Sequence, residues 1–589
     1  MTLLDSLLTS FEEVVLLDFE FNGGERNPRS EGNRPNIICL VAHELRSGRR
    51  FRLWHDQIGS KPPYRIDAKT LFVAFYTSAE LTCHLSKGWS LPVNILDLFI
   101  EFRRLTNHSG ERQPSASLVA ALNYFKLDSI EAQSKEHWRN IVLRGGPWTE
   151  EEKIGILDYC ESDVVALRKL LEVMPIGNLG HSLIHGSYMR ADAWMRHRGI
   201  PLDKPLREDL ATHWPALLRE LTDDLNRRYP FFEGASFRQK LLRQWLIEHG
   251  VQFWPLTPTG TLKTDAETLR AMAARCPEVA EFCYSKITLN QLKSFDLCVG
   301  DDGRNRCMLS AFASKTSRNQ PSNSAFAFGL NAAFRSLIKP DPGQALVYLD
   351  FSGQEFALAA YFSKDPNMIA AYESGDPYSD WARKNNAMPT DGNKLTHPHV
   401  RAIYKRASLG VLYTMGPETL SSYVGVTRGG ARALLKSHHE TFPRFWRWID
   451  AVENAAISTR ALETVYGWRM RILHNARSGT ISNFPMQANG AEMLRLACCY
   501  AVDRNIPIIA PIHDALLIEG PVSDIEDITR EMQQCMVDAS RAVLGGPAVR
   551  VDMSKPLTFP DRYVDGRDGS IELWDTTMRL LIQFKRKTA

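Results

Sequence analysis

Short apolar segments that end in or near acidic residues recur along the chain. The clearest are VVLLDFEF at 14–21, LFVAFY at 71–76, QALVYLDF at 344–351 and the pair IPIIAPIH and ALLIEGP at 506–521. Apolar, β-branched runs of about four to eight residues are typical of buried β-strands. Longer stretches with helical periodicity lie between them. The pattern therefore predicts an α/β protein.

The spacing of these segments predicts more than one domain. A chain of 589 residues exceeds a single hydrophobic core, since domains hold roughly 100–200 residues. The Gly-rich segment IGNLGHSLIHG, at 176–186, is weakly patterned and predicts the main boundary. Beyond it, 187–300 shows long amphipathic helical patterns with many bases, as in SFRQKLLRQWLIEHG. We expect one unit at 1–178 and a second at 179–589.

Composition limits the cellular compartment and the kinds of partner, but it does not identify the function. Lys plus Arg is 71 and Asp plus Glu is 68, so the net charge is only +3. A polyanion such as nucleic acid would therefore have to bind to a local cluster of basic residues. The ten cysteines form no CxxC pair, which favours reduced thiols. The N-terminus is acidic where a secretory signal is basic, and no run approaches the ~18 apolar residues of a membrane span. We expect a soluble cytoplasmic protein without a membrane partner.

Acidic residues in the N-terminal third have the spacing of a metal site. Asp18 and Glu20 are two apart on a predicted strand, so both leave the same face. Tyr159 and Asp163 are four apart on a predicted helix and share its face. Carboxylates so paired suit a hard divalent cation, although each motif alone also fits an ordinary solvated acid. Together they resemble the DEDD-type 3′–5′ exonucleases whose third motif is YxxxD.

That resemblance implies an RNase H-like exonuclease domain at 1–178. Asp18, Glu20 and Asp163 would be metal ligands, and Tyr159 would be catalytic beside the nucleophilic water. The family has a fourth acid at the head of a helix after a second strand. We assign Glu80, which follows LFVAFY, although the family usually has Asp there. Asp97, in VNILDLF, is the alternative.

A second set of motifs lies in the C-terminal two-thirds. Asp350 ends an apolar strand, and Glu355 opens the helix after a Ser-Gly turn. Asp514 stands at the predicted turn of a hairpin. Between them, four residues at four-residue steps form one helical stripe: Arg401, Lys405, Leu409 and Tyr413. Its cations suit a triphosphate and its aromatic end suits a base, although a solvated basic face would look similar.

In this order the three segments resemble motifs A, B and C of family A DNA polymerases, over most of 180–589. The resemblance implies a right-hand polymerase with a thumb at about 190–305, fingers at about 366–455 and a palm in the remainder. Asp350 and Asp514 would be catalytic and bind two Mg²⁺ ions, with Mn²⁺ as an alternative; the exonuclease site would also hold two. Glu355 would be the steric gate against a ribose 2′-hydroxyl.

The resemblance assigns the other site residues as well. Arg401 and Lys405 would hold the triphosphate, Lys405 would also protonate pyrophosphate, and Leu409 and Tyr413 would complete the nucleotide site. The family's DNA contacts map onto KTSRNQPS, ISNFPMQANGAE and the motif C histidine, as Arg318, Asn483, Gln487 and His513. Arg477 matches the arginine before the second segment with shifted spacing. Three positions depart from the family pattern, namely Phe351, Leu409 and Ala515; at 515 the family commonly has Glu, so the third acid is missing.

The sequence thus predicts a template-directed DNA polymerase with a 3′–5′ proofreading exonuclease. Its expected partners are primer–template DNA and dNTPs, with a replisome or processivity factor as a further partner, and we expect a monomer. The length resembles compact bacteriophage or prophage polymerases without a 5′-nuclease domain, which would act in the cytoplasm of a bacterial host. A stand-alone DEDD exonuclease with a nucleic-acid-binding extension is the alternative, and a non-catalytic DNA-binding clamp is the third.

Overall fold

The N-terminal part of the chain is a five-stranded sheet flanked by helices. The computed structural model describes residues 3–23, 32–128, 132–233, 236–251, 253–257, 259–292, 297–567 and 569–588. The strands are β1 (Glu13–Asn22), β2 (Asn36–Glu44), β3 (Arg50–Trp54), β4 (Thr70–Ala74) and β5 (Asn94–Asp97). The helices are α1 (Leu3–Ser10), α2 (Ser78–Ser86), α3 (Leu98–Thr106), α4 (Leu118–Tyr124), α5 (Ala132–Arg144) and α6 (Glu150–Val173).

The strand order is β3-β2-β1-β4-β5. β1 runs antiparallel to β2 and parallel to β4, which is itself parallel to β5. The central strand β1 is apolar because it is covered on both faces, and α6 packs over it and β2. This mixed sheet has the RNase H-like arrangement, and it puts the acids of β1 next to α6.

A helical region follows. The helices are α7 (Leu179–Arg198), α8 (Lys204–Arg228), α9 (Gln239–Glu248), α10 (Ala266–Arg275) and α11 (Pro277–Leu292). Short strands accompany them: β6 (Ile200–Pro201), β7 (Phe232–Glu233), β8 (Ser236–Phe237) and β9 (Arg304–Asn305). A separate cluster of buried side chains between α8 and α11 gives this region its own small core.

The C-terminal part is built on an antiparallel sheet of order β13-β14-β10-β15, with β16 also paired to β10. The strands are β10 (Gln344–Phe351), β11 (Ala461–Glu463), β12 (Arg469–Arg471), β13 (Ile508–Ile512), β14 (Ala515–Pro521), β15 (Val551–Met553) and β16 (Leu557–Thr558). The helices are α12 (Gln354–Ser363), α13 (Pro366–Glu373), α14 (Pro377–Lys384), α15 (Pro398–Leu412), α16 (Pro417–Val424), α17 (Arg428–Thr441), α18 (Pro443–Thr459), α19 (Ser478–Asp503), α20 (Ile525–Leu544) and α21 (Ser570–Thr588). The predicted multidomain α/β class is confirmed. Within the described ranges, no helix is both long and apolar enough to cross a membrane.

Helix α7 joins the two parts and occupies the segment that looked weakly patterned in the sequence. Its glycine at 186 faces β5 so closely that an added Cβ would lie 2.0 Å from the carbonyl oxygen of Ile95. Position 186 therefore requires glycine, because any side chain there would push α7 away from β5. Gly186 is therefore explained by this close approach, and the segment from 179 onward is regular helix and not a linker.

Gly186→Ala is expected to lower the free energy of unfolding by about 1–3 kcal/mol, the typical range for overpacking a tight contact. Gly429→Ala is the matched control. It lies near the start of α17, where the nearest atom to an added Cβ is 3.9 Å away, so stability should stay equal or rise by about 0.4–1 kcal/mol. Urea denaturation followed by circular dichroism measures both. Equal midpoints for Gly186→Ala and the parent protein would contradict the packing described above.

A buried charged cluster lies under α7 at the junction. His185 of α7 lies with its Nδ1 3.8 Å from the carboxylate of Glu101 on α3, and its Nε2 lies 3.7 Å from that of Glu492 on α19. Arg495 pairs with Glu492 at 3.0 Å. Burial alone would lower the pKa of His185, but the two carboxylates outweigh it and raise that pKa. Burial likewise opposes ionisation of Glu492, yet Arg495 and His185 bring its pKa down to about 2. The cluster joins the two parts of the chain electrostatically.

Candidate active site

The acids predicted at 350 and 514 meet at one edge of the C-terminal sheet. β10 pairs with β14 so that Asp350 is opposite Ala515, and Asp514 stands in the turn just before. The amide of Phe351 donates a hydrogen bond to the carbonyl oxygen of Asp514, at 3.3 Å. Oδ1 of Asp350 is enclosed and has no hydrogen-bond partner among the described residues. The predicted hairpin therefore delivers its carboxylate beside the end of β10.

The electrostatics of this edge favour a cation. Burial raises the pKa of Asp350 to about 7, with the charges of Asp514 and Asp552 adding to the effect and Lys405 opposing it. Burial also raises the pKa of Asp514. The two carboxylates are hard to ionise together, and one of them has an oxygen without a hydrogen-bond donor. A bound divalent ion would stabilise the ionised carboxylates and would also give that oxygen a partner.

The acid at 552 was missed by the sequence analysis. It lies in the short strand β15, which pairs with the other edge of β10 and sets Asp552 opposite Asp350. The available signal was weak: one acid in the brief alternating segment VRVDM. Asp552 can be recognised as a neighbour of Asp350 only from the pairing of β15 with β10, two strands that are far apart in sequence.

The basic stripe lies on α15 as predicted, with Tyr413 at its C-terminal cap. Arg401 donates from Nε to Asp376 at 2.6 Å, and its guanidinium lies 5.4 Å from the ring centroid of Tyr378. Lys405 is exposed, while Leu409 is half-buried. The stripe thus has an open cationic middle, one end anchored by an acid, and an aromatic end.

Four predicted residues converge at the aromatic end of the stripe. Glu355, on α12, accepts a hydrogen bond from Nη2 of Arg318 at 2.7 Å and one from the hydroxyl of Tyr413 at 3.3 Å. Gln487, on α19, donates to the same hydroxyl at 2.9 Å. In this structure Glu355 and Arg318 therefore form an ion pair with each other.

The other predicted contact residues lie around this group. Asn483 is buried, and its amide donates to the carbonyl oxygen of Leu412 at 3.2 Å, which holds the end of α15. His513 is exposed at the hairpin turn and, with Arg318, lines a cleft of about 540 Å³. Arg477 caps α19 and pairs at 2.7 Å with exposed Glu111 of the N-terminal part.

The N-terminal acids also come together. Asp18, Glu20 and Asp163 offer carboxylate oxygens that all lie within 4.8 Å of one another, a geometry able to hold a metal ion. Lys135 forms an ion pair with Asp163, and its Nζ lies 6.0 Å from the ring centroid of Tyr159. β1 and α6 therefore place three acids and the tyrosine in one site, next to a lysine that the sequence did not suggest.

The two candidates for the fourth acid have different environments. Glu80 is buried and its Oε2 accepts the amide of Phe19 at 2.8 Å, which sets it against β1 between Asp18 and Glu20. Asp97 accepts the amides of four residues at the junction of β4, β5 and α3: Tyr76, Thr77, Phe99 and Ile100. Burial raises the pKa of Asp97 to about 6. Neither belongs to the three-acid group in the ranges the structure describes. Glu80 is hydrogen-bonded to β1, whereas the bonds of Asp97 go to the segments after β4 and β5.

The antiparallel sheet with paired acids below a basic helix, joined to an RNase H-like unit, has the fold of a right-hand nucleic-acid polymerase. The chain belongs to DNA polymerase family A, since the profile of that family matches residues 239–555, more than half of the chain. The resemblance of motifs A, B and C to family A DNA polymerases is thereby confirmed.

Similar proteins agree with this assignment. The thermostable DNA polymerase I of Thermus caldophilus is 25% identical over 423 residues, covering 67% of this chain and 50% of that protein. DNA polymerase I of Chloroflexus aurantiacus is 22% identical over 436 residues, covering 67% and 45%. The chain spans about half the length of these curated relatives. The POL domain of Pol1 from M. smegmatis, solved in complex with DNA primer-template and dNTP, has a similar fold, with a TM-score of 0.66, 17% identity and coverage of 92% and 95%.

Proposed function

We propose that this protein is a template-directed DNA polymerase that adds deoxynucleotides to the 3′ end of a primer. The observation that carries the proposal is the adjacency of Asp350 and Asp514 below the cationic stripe of α15. Primer–template DNA and dNTPs would be its partners. The helical units at about 190–305 and 366–455 would serve as thumb and fingers around the palm sheet.

Each of the predicted residues would have a separate role in nucleotide addition. Asp350 and Asp514 would hold divalent ions, Mg²⁺ with Mn²⁺ as an alternative, which supply charge stabilisation to the attacking and leaving oxygens. Arg401 and Lys405 would neutralise the triphosphate, and Lys405 would pass a proton to the departing pyrophosphate. Tyr413 would offer a stacking surface near the templating base.

The ion pairs of Arg318 and Arg401, near the two ends of the stripe, imply an exchange of partners on substrate binding. Arg318 now pairs with Glu355, and Arg401 pairs with Asp376. Contact of Arg318 with a primer terminus and of Arg401 with a phosphate would replace the carboxylates of Glu355 and Asp376 as the acceptors of these guanidinium groups. Glu355 would then be free to pack against the sugar of the incoming nucleotide.

The N-terminal site supports a second activity, removal of a 3′-terminal nucleotide. Asp18, Glu20 and Asp163 would hold the metal ions, with Glu80 as the fourth acid, and Tyr159 would position the attacking water. The convergence of three carboxylates on one point favours this proposal. Residues 1–178 would then be a proofreading domain.

Primer extension on a defined template tests the polymerase proposal. Full-length product is expected only with Mg²⁺ or Mn²⁺ and all four dNTPs, and a single dNTP should be added only opposite its complement. A stand-alone exonuclease would shorten the primer without ever lengthening it. A non-catalytic clamp would bind the duplex and leave its length unchanged. Either of these results would overturn the proposal.

Glu355→Ala is expected to raise incorporation of ribonucleotides relative to deoxynucleotides by about 100-fold, because a steric contact worth a few kcal/mol would be removed. Glu373→Ala, at an exposed acid near the end of α13, is the control and should keep the discrimination of the parent protein. Single-turnover incorporation of dCTP and CTP opposite G gives the ratio. An unchanged ratio in Glu355→Ala would show that this side chain is not the gate.

A further inference from the structure

Lys135, on α5, is held against the N-terminal acid site by a close contact between two helices. Gly155 of α6 faces the indole ring of Trp138 on α5, and an added Cβ at this glycine would overlap the ring. Lys135 precedes Trp138 by three residues, so the two share one face of α5. Tyr159 and Asp163 follow Gly155 at four-residue steps along one face of α6. The helix contact therefore sets Lys135 beside the tyrosine and the acid.

We propose that Lys135 is a resident cation of the excision site and competes with the divalent ion for the carboxylate of Asp163. The inference rests on the proposed excision activity. The ammonium group of Lys135 forms an ion pair with Asp163, whose carboxylate is one of the three that converge. A metal ion that binds this carboxylate must displace Lys135 or share the carboxylate with it. Lys135 therefore sets how much free metal excision requires.

The environment of this ion pair makes the competition effective. The side chains of Lys135 and Asp163 are each only 14% exposed. Charges that are shielded from water and salt attract each other more strongly than an exposed surface pair does. A lysine ammonium is nevertheless a single point charge, whereas a divalent ion takes about six oxygen ligands and can bind all three acids at once. The metal ion therefore displaces Lys135, but only at a higher free concentration than the acids alone would need.

A purely structural role for Lys135 makes the opposite prediction. An ion pair that only fixed α5 to α6 would help to hold Asp163 in place, so its loss would weaken metal binding or leave it unchanged. Removal of a competing cation leaves the carboxylate fully available, so metal binding becomes tighter. The sign of the change in metal affinity therefore distinguishes the two roles.

Metal binding, measured apart from turnover, tests the inference. Mn²⁺ is titrated into the full-length protein without DNA, and free Mn²⁺ is read by electron paramagnetic resonance. Asp350→Asn and Asp514→Asn are present throughout, so that the polymerase acids do not contribute. In this background Lys135→Met should tighten Mn²⁺ binding on the order of 10-fold, the lower end of what an adjacent opposite charge does to proton binding by a carboxylate. Lys135→Arg keeps the charge and should stay within a few-fold of the parent.

Lys153→Met is the matched control, because it removes the same charge from the surface of α6. Lys153 pairs with exposed Glu150 at 2.6 Å and precedes Asp163 by ten residues, or about 15 Å along the helix. This distance exceeds the Debye length of about 8 Å at physiological ionic strength, so the Mn²⁺ affinity should not change. A gain of equal size in both variants would mean that net charge alone sets the affinity, and the inference would be wrong.

The design separates this inference from the function on which it rests. If Asp163→Asn removes the site but Lys135→Met binds Mn²⁺ no more tightly than the parent, the competition is wrong and the excision proposal stands. If Asp163→Asn binds Mn²⁺ normally, the metal site itself is misplaced and both proposals fail. As a second readout, the half-saturating Mg²⁺ concentration for excision, measured without the two polymerase substitutions, should fall in Lys135→Met by a similar factor. An unchanged half-saturating concentration would count against the competition.

Discussion

Asp350→Asn is expected to lower the rate of primer extension by at least about 1,000-fold while primer–template affinity stays within about twofold. The carboxylate lies at the end of β10 beside Asp514, where ions on the attacking and leaving oxygens would be held. Loss of such charge stabilisation is worth several kcal/mol of activation free energy, and each 1.36 kcal/mol is about tenfold in rate. Single-turnover extension and fluorescence anisotropy with labelled duplex give the two quantities.

The same variant carries an internal test that it folds. Folding raises the pKa of Asp350 to about 7, so its carboxylate costs stability at pH values above that, and a neutral amide removes the cost. Without metal at pH 8, Asp350→Asn should therefore be more stable by about 1 kcal/mol, a value kept small by solvent screening. At pH 4 the gain should nearly vanish. Undiminished extension by this variant would remove Asp350 from the catalytic centre.

Asp18→Asn is expected to reduce removal of a mispaired 3′ nucleotide by about 1,000-fold and to leave extension from a paired end unchanged. Asp18 belongs to the three acids that converge between β1 and α6, and losing one charge there removes metal stabilisation worth several kcal/mol. Asp350 and Asp514 lie at the edge of a different sheet and are unchanged in this variant. Excision is measured on a labelled primer with a terminal mismatch and no dNTPs.

Asp158→Asn is the matched control for the excision experiment. This aspartate lies on the same helix, α6, but its carboxylate is exposed and pairs with Arg52 on the surface, at 2.7 Å. Surface pairs contribute about 0–1 kcal/mol, so both activities should be unaffected. Excision that persists in Asp18→Asn, or that falls equally in Asp158→Asn, would show that the N-terminal acids are not the site.

Much of the two sites could be predicted because their parts are local in sequence. The hairpin that presents Asp514 consists of two apolar strands around one turn, and the stripe of α15 follows from a four-residue step. Each of these patterns dictates its element almost alone. The position of Asp18 and Glu20 on one strand is equally local.

The features that could not be predicted depend on contacts between distant segments. Asp552 becomes a neighbour of Asp350 only through the pairing of β10 with β15, which no local pattern encodes. The segment around Gly186 looked like a linker because glycine weakens a helical pattern, whereas it allows the close approach of α7 to Ile95. The backbone amides that Glu80 and Asp97 accept likewise come from segments that are distant in sequence.

The charged cluster under α7 has a consequence for how the protein can be divided. Truncation before α7 would remove Glu101 from the buried cluster and open the surface beside His185, which would keep Glu492 but lose one of its two carboxylate partners. Removing one partner from a buried ionic pair costs up to about 3–5 kcal/mol. A fragment made by removing the N-terminal domain should therefore be a poor stand-in for a polymerase lacking excision, and such an enzyme is better made by single substitutions in the acid site. The boundary that the sequence suggests near residue 178 thus does not separate two independent structural units, because the buried cluster spans it.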